Sequence, residues 1–145
     1  MDITIFIASC TFIWIGFIGA ISFMESWLKF RAPGITMPIG LSIGKVVFGA
    51  LNKVEWALAT IISVSLFFYE SKLKSLLEVF FLIVIISLVV QTAWLLPALS
   101  KRVKAIKGGT NLSSSNHHLY YICFEFIKLL LLIFFGGGIL HSVIR

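Results

Sequence analysis

Four long apolar stretches separated by short polar connections dominate the pattern of the chain. About twenty predominantly apolar residues are enough for a helix to cross the hydrocarbon core of a bilayer. The pattern therefore predicts spans at about residues 3–24, 76–99 and 118–135, with a further one between the first two. The last of these is predicted to end where three glycines, 136–138, follow it. The predicted fold is an all-α, integral membrane four-helix bundle that forms a single transmembrane domain over residues 1–145.

The second span is less regular than the others. The pattern from Pro38 to Tyr69 is helical throughout, but about thirty residues would make a helix of about 45 Å, which is longer than a bilayer is thick. We therefore place the membrane-crossing part at about residues 49–69. Residues 40–50 are expected either to lie in the interface as a helix or to continue the span as a tilted helix.

The composition supports a membrane location. Of the 145 residues, 59% are hydrophobic and 12% are charged, whereas soluble domains are about half apolar and a quarter charged. No stretch is long and polar enough for a separate soluble domain, so any chemistry is expected in or at the membrane. The start, Met1-Asp2 followed by an apolar stretch of span length, differs from a cleavable signal, which begins with basic residues.

Basic residues are concentrated on one side of the predicted bundle. The two connections on that side, with the adjoining helix ends, hold Lys29, Arg31, Lys45, Lys53, Lys101, Arg102, Lys104 and Lys107, and the other side has Lys72, Lys74 and Arg145. The positive-inside rule then predicts that both basic connections are cytoplasmic and both termini are outside, in a bacterial inner membrane. The basic run at residues 100–107 can contact anionic lipid. It is short and next to the membrane, so we expect the bilayer as a partner and no nucleic acid.

Three glutamates lie inside or at the edge of the apolar stretches, where a carboxylate is costly and usually has a partner or a function. A lysine lies within one helical turn of each: Lys29 for Glu25, Lys53 for Glu55 and Lys128 for Glu125.

Counting 1.5 Å per helical residue places polar groups of all four spans at a similar depth on the cytoplasmic side. The predicted polar cluster consists of Glu25, Lys29, Lys45, Asn52, Glu55, Gln91, Glu125 and Lys128. One interpretation is a set of ion pairs that fixes helix packing. The other, which we favour because intramembrane ionisable groups are usually functional, is a site that handles a small molecule or ion or anchors a partner subunit.

The sequence does not predict a metal site. Glu25, Glu55 and Glu125 with His117 or His118 could supply ligands, but carboxylate metal sites in helix bundles use a Glu-x-x-His spacing. That spacing does not occur in the sequence.

Small and aromatic residues indicate how the helices pack and where they end. Gly16, Gly19 and Ala20 form a face suited to close helix contact. Gly40 with Gly44 forms a GxxxG pair for packing or dimerisation. The aromatic residues predicted as interface anchors are Trp14, Trp27, Trp56, Trp94, Tyr120 and Tyr121.

One broad pattern extends over most of the chain. It comprises Gly16, Phe23, the run Lys29-Phe30-Arg31-Ala32-Pro33, Gly44, Val47-Phe48, Leu51-Asn52 and a histidine near the start of the fourth span. The pattern resembles small four-span membrane proteins of unknown function related to a human transmembrane protein. The resemblance implies a four-helix membrane bundle without an established activity.

A narrower motif, Asn52-Lys53-Val54-Glu55, is similar to the Asn-x-x-Glu of the membrane-associated eicosanoid and glutathione metabolism family. That resemblance implies a homotrimer that binds glutathione. The alternative function is thus a membrane enzyme acting on a lipophilic substrate, with Asn52 and Glu55 at its site. The family has arginines before the Asn, whereas residues 45–51 contain a lysine and no arginine.

Overall fold

The computed structural model describes residues 3–68, 75–108 and 117–144, and these residues form helices without any strand. The first helix, α1 (Ile3–Arg31), comprises Ile3–Ile18, a π-helical segment Gly19–Glu25, Ser26–Leu28 and a 3₁₀ turn Lys29–Arg31. The others are α2 (Met37–Phe67), α3 (Ser75–Val90, the π-helical segment Gln91–Leu95, and Leu96–Lys107) and α4 (His117–Ile144). All four are long and apolar enough to cross a membrane, which confirms the predicted fold class.

The four helices are arranged in a ring in chain order. Each helix packs on its neighbours in sequence, and α1 also packs on α4, which closes the ring. We call the half of the bundle with the start of α1 and the end of α4 the terminal half, and the half with the end of α1 and the start of α2 the connector half. Since sequential helices run in opposite directions, the end of α3 and the start of α4 also belong to the connector half.

Helix α2 is one continuous helix, although residues 40–50 were predicted separately from the membrane-crossing part. Its first turn contains Pro38, where a missing N–H costs nothing, and it follows an extended Thr36. The stretch 40–50 and the stretch 49–67 therefore belong to one helix. The predicted end at Tyr69 lies outside the described residues, and which part of α2 crosses the membrane stays a prediction.

Helix α4 continues through Gly136, Gly137 and Gly138 to Ile144, past Phe135, where the glycines predicted its end. A Cβ added at Gly138 would lie 2.5 Å from Leu77 Cδ2, and one added at Gly136 would lie 3.1 Å from Thr11 Cγ2. Two of the glycines thus let α4 approach α3 and α1 closely instead of ending the helix.

The small-residue contacts differ from the prediction. A Cβ added at Gly16 or Gly19 would meet no described atom within 4 Å, so this face of α1 makes no close helix contact inside the four-helix bundle. Gly40 instead faces the Phe30 ring and Gly44 faces the Lys29 ammonium. The GxxxG pair therefore packs the start of α2 against the end of α1 within one chain.

The two π-helical segments interrupt α1 and α3. In α3, Pro97 has no N–H to donate within the helix, and the N–H of Leu96 reaches back five residues to the carbonyl of Gln91. In α1, the segment begins at Gly19. Single π turns often accompany functional sites, and these two contain Ser22, Glu25, Gln91 and Thr92.

Candidate functional site

A group of polar side chains is enclosed near the middle of the bundle, and we call it the central cluster. It consists of Trp14 from α1, Glu55 from α2, Gln91 from α3, and Tyr121, Glu125 and Lys128 from α4. The relative exposure of each of these residues is 0%. All four helices therefore contribute to one enclosed polar group.

Lys128 joins the two carboxylates of this cluster. Its ammonium donates to Glu55 Oε1 on α2, the helix opposite α4 in the ring, and it lies 2.9 Å from Glu125 Oε1, one turn earlier on its own helix. A buried ion pair is favourable only when its geometry is good and further hydrogen bonds satisfy the charged atoms.

Two further donors satisfy the same carboxylate oxygens. Trp14 Nε1 donates to Glu55 Oε1 over 3.0 Å, and Gln91 Nε2 donates to Glu125 Oε1 over 2.6 Å. Since the Oε1 atom of each glutamate receives all of these contacts, the two carboxylates are held from α1 and α3 as well as from Lys128.

The cluster nevertheless contains more negative charge and more polar atoms than its internal contacts satisfy. Two carboxylates face one ammonium, so one negative charge is in excess among the described residues. Four buried polar atoms of the described residues have no hydrogen bond of good geometry: Glu55 Oε2, Glu125 Oε2, Gln91 Oε1 and the Tyr121 hydroxyl, of which the last has only a weaker contact with the Glu125 carboxylate. The Tyr121 side chain lies near both carboxylates. Chemically, the group can accept one positive charge and surround it with oxygen atoms.

A second polar group lies in the connector half, and we call it the connector cluster: Ser22, Glu25 and Lys29. Lys29 Nζ donates to Glu25 Oε2 over 3.2 Å and lies 5.1 Å from the centre of the Phe48 ring, a cation–π distance. Ser22 Oγ and Glu25 Oε1 are buried and have no hydrogen-bond partner among the residues described. Glu25 and Lys29 were predicted to lie in one cluster with Glu55, but they form a separate group.

A third polar contact joins α2 to α3. Asn52 Nδ2 donates to Thr92 Oγ1 over 3.0 Å, and Trp56 Nε1 donates to the same oxygen over 2.9 Å. Thr92 in turn donates to the carbonyl of Leu88. Asn52 thus lies one turn from Glu55, but its hydrogen bonds fix helix packing next to the central cluster.

The structure brings together four of the residues in the predicted cluster: Glu55, Gln91, Glu125 and Lys128. Lys45 is half-buried and makes no ion pair with any described residue. Lys53, the basic neighbour of Glu55 in sequence, is exposed, and the cation that contacts Glu55 is Lys128 from another helix.

Two members of the central cluster were predicted from the sequence to lie at the membrane interface. Trp14 and Tyr121 were predicted as interface anchors, and that interpretation is wrong because both are enclosed in the bundle. The sequence contained one indication that each of these residues is buried. Trp14 lies in the middle of its predicted span, and Tyr121 precedes Glu125 by four residues and so shares its helix face.

The remaining candidate ligands do not converge. Within residues 3–68, 75–108 and 117–144, no group of three or more His, Cys, Asp or Glu side chains is close enough to hold a metal ion. The side chains of His117 and His118 lie outside the described ones. Cys10 is buried and Cys123 is exposed, and both are free thiols.

In comparisons with known proteins, the chain matches no family model, no curated protein and no solved structure. The class that the fold defines is a small integral membrane protein with four apolar helices. Neither of the two resemblances seen in the sequence gains support beyond that class.

Proposed function

We propose that this protein handles an ion in the membrane, and that the central cluster binds one monovalent cation, either a proton or a metal ion such as sodium. The observation that carries the proposal is the excess negative charge at a place where Glu55, Glu125 and Lys128 are all 0% exposed. An uncompensated charge in such surroundings costs several kcal/mol. A bound cation would remove that cost.

The chemistry of the cluster matches a singly charged cation. Lys128 already neutralises one carboxylate, so a divalent ion would leave an excess positive charge. The atoms still available for bonding in the described residues are oxygens of Glu55, Gln91, Tyr121 and Glu125. Oxygen atoms are the ligands that hard cations prefer, and a carboxylate can take up a proton directly.

The packing interpretation, in which the cluster only fixes four helices, has less support. Ion pairs kept for packing alone would be expected to balance, since an unpaired buried charge destabilises the fold. Two glutamates and one lysine do not balance.

The two other functions expected from the sequence also have less support. Asn52 and Glu55, the residues of the glutathione alternative, already bind Thr92, Trp14 and Lys128. A partner subunit cannot be anchored directly by side chains that are fully enclosed. Formation of a homo-oligomer or binding of a partner subunit through other surfaces stays a prediction.

The proposed setting is a bacterial inner membrane, with one transmembrane domain and both termini outside. It is supported by the excess of basic residues at the ends of α1 and α3 and at the start of α2.

The proposal can be tested with purified protein in detergent and in liposomes. For sodium, thermal unfolding is followed while Na⁺ replaces choline, because a ligand at a hundred times its Kd stabilises a protein by about 2.7 kcal/mol. For protons, uptake into liposomes is followed with a pH-sensitive dye under an imposed potential. We expect one of the two responses in the natural sequence.

The matched pair of variants is Glu125→Gln, in the cluster, and Glu78→Gln, at an exposed position of α3. The response should be lost in the first variant and kept in the second. Absence of both responses in the natural sequence, or an unchanged response in Glu125→Gln, contradicts the proposal.

A further inference from the structure

The apolar packing on the two sides of the central cluster is unequal. Fifteen buried residues from all four helices form one continuous core, most of it in the terminal half, and Phe81, Val84, Leu132, Phe135 and Ile139 belong to it. In the connector half the corresponding group has three buried residues, Phe48, Leu95 and Tyr121, and Leu51 and Val103 are buried separately from it. Among the described residues, a polar ligand would therefore meet a thicker apolar barrier on the terminal side than on the connector side.

Polar groups continue beyond the thinner barrier. Ser22 Oγ and Glu25 Oε1 lie there without a hydrogen-bond partner among the described residues, and the Glu25 side chain is 25% exposed. The connector cluster thus extends from the surface of the bundle to its interior. In the terminal half, the buried hydroxyls of Thr11, Ser65 and Ser87 each donate to a carbonyl of their own helix and so are already bonded.

The Phe48 and Tyr121 rings lie between the two clusters. Lys29 Nζ lies 5.1 Å from the centre of the Phe48 ring, and the Phe48 and Tyr121 ring centres are 4.7 Å apart. The Tyr121 side chain in turn lies near Glu125. The order from the surface to the central cluster is therefore Lys29, Phe48, Tyr121 and Glu125.

We infer that the central cluster exchanges its cation with the connector side alone, by a route that passes the connector cluster and is closed by the Phe48–Tyr121 ring pair. This inference rests on the proposed function, since it is the bound cation that uses the route. Displacement of the Phe48 ring opens the route. The Tyr121 hydroxyl is the first oxygen that an incoming cation meets, and it can either coordinate a metal ion or pass on a proton.

The test measures access to the central cluster with a thiol reagent that carries a fixed positive charge and does not cross membranes. In a background with Cys10→Ala and Cys123→Ser, Gln91→Cys provides a thiol in the cluster. Two exposed positions mark the sides in the same liposomes: Lys104→Cys for the connector side and Val143→Cys for the terminal side. We expect slow labelling of Gln91→Cys, from the connector side only.

Removal of the ring should open the route. Phe48→Ala is expected to raise the labelling rate from the connector side by about tenfold, because opening no longer requires displacement of a buried ring. The matched control is Phe81→Ala, since Phe81 is also a buried phenylalanine and stacks on Phe135 with ring centres 5.1 Å apart. That variant should leave the rate unchanged.

Three results would overturn the inference: labelling from the terminal side, an equal increase in Phe81→Ala, or no labelling in any variant. Phe48→Leu, with intermediate opening, replaces Phe48→Ala if the smaller residue prevents folding. Because labelling needs no bound cation, a failed route and a failed ion site are distinguished. If the route is wrong, the labelling pattern differs from the expected one. If the ion site is wrong, Glu125→Gln does not lose the ion response.

Discussion

Lys128 is the residue on which the central cluster depends most directly. It contacts carboxylates on two helices, and Trp14 and Gln91 reinforce the same two oxygens. Apart from the partly buried ion pair of the connector cluster, the other side-chain hydrogen bonds between described residues, such as that of Asn52 with Thr92, involve neutral groups. The energetic effect of losing the ammonium should therefore exceed that of losing any one of its partners.

Replacement of Lys128 should be the most destabilising of the charge-removing changes. In Lys128→Met, two enclosed carboxylates face each other without a cation, and breaking a buried pair in this way costs about 3–5 kcal/mol. Glu125→Gln should cost less, because it removes the excess negative charge and leaves Glu55 paired with Lys128. Thermal unfolding in detergent gives the order, and Lys53→Met, at an exposed position, is the control. The reverse order for Lys128 and Glu125 would contradict the described charge arrangement.

The sequence identified most of the ionisable part of the site, for a physical reason. Glu55, Gln91, Glu125 and Lys128 stand out because polar residues are costly in apolar stretches. The pairing could not be predicted, since proximity in sequence favoured Lys53 for Glu55 whereas the cation comes from another helix 73 positions away. Trp14 and Tyr121 were missed because aromatic residues with a polar atom suit both an interface and a buried hydrogen bond.

Helix α4 shows how local composition and tertiary packing can oppose each other. Glycine is unfavourable in a helix by about 1 kcal/mol relative to alanine, so three in succession predicted an end. Contacts of Gly136 with Thr11 and of Gly138 with Leu77 compensate for that loss by allowing close approach of the helices. Periodicity could not reveal this, because the partner side chains lie on other helices.

The three glycines provide an internal comparison. Gly137→Ala should be neutral or stabilising, since an added Cβ meets no described atom within 4 Å and alanine favours the helix. Gly138→Ala should be less stable than Gly137→Ala by about 1–3 kcal/mol, because its Cβ would overlap the buried Leu77 side chain. Unfolding in detergent measures the difference. Equal stability of the two variants would show that α4 does not approach α3 as described.

The bundle as a whole was predictable in class and in helix number, because four apolar stretches with short connections leave few alternatives. The common depth of Glu25 and Glu55 was expected from counting, but the two residues belong to different clusters. Counting assumes straight and uniform helices, whereas the π-helical segments Gly19–Glu25 and Gln91–Leu95 change the turn and rise at the positions counted.

The orientation of the bundle can be tested with reporter fusions in a bacterial host. Alkaline phosphatase, which is active only outside the cytoplasm, should be active when fused after residue 144 and inactive when fused after residue 108. The expected physical cause is the excess of Lys and Arg at the end of α3 and in the first connection. As a control, the same fusions after replacement of Lys101, Arg102 and Lys104 by Gln should show a weaker contrast. Activity at residue 108 in the natural sequence would reverse the assigned topology.

The long separation of Glu55 from Lys128 has a consequence for biogenesis. A ribosome makes α2 well before α4, so the carboxylate of Glu55 is inserted into the membrane when only the Trp14 indole is available to bond it. Until the last helix arrives, the three-helix intermediate holds an acidic group without its cation. Because α4 carries both Glu125 and Lys128, its arrival leaves the net charge of the enclosed group unchanged, but it gives Glu55 the ion-pair partner that the three-helix intermediate lacks.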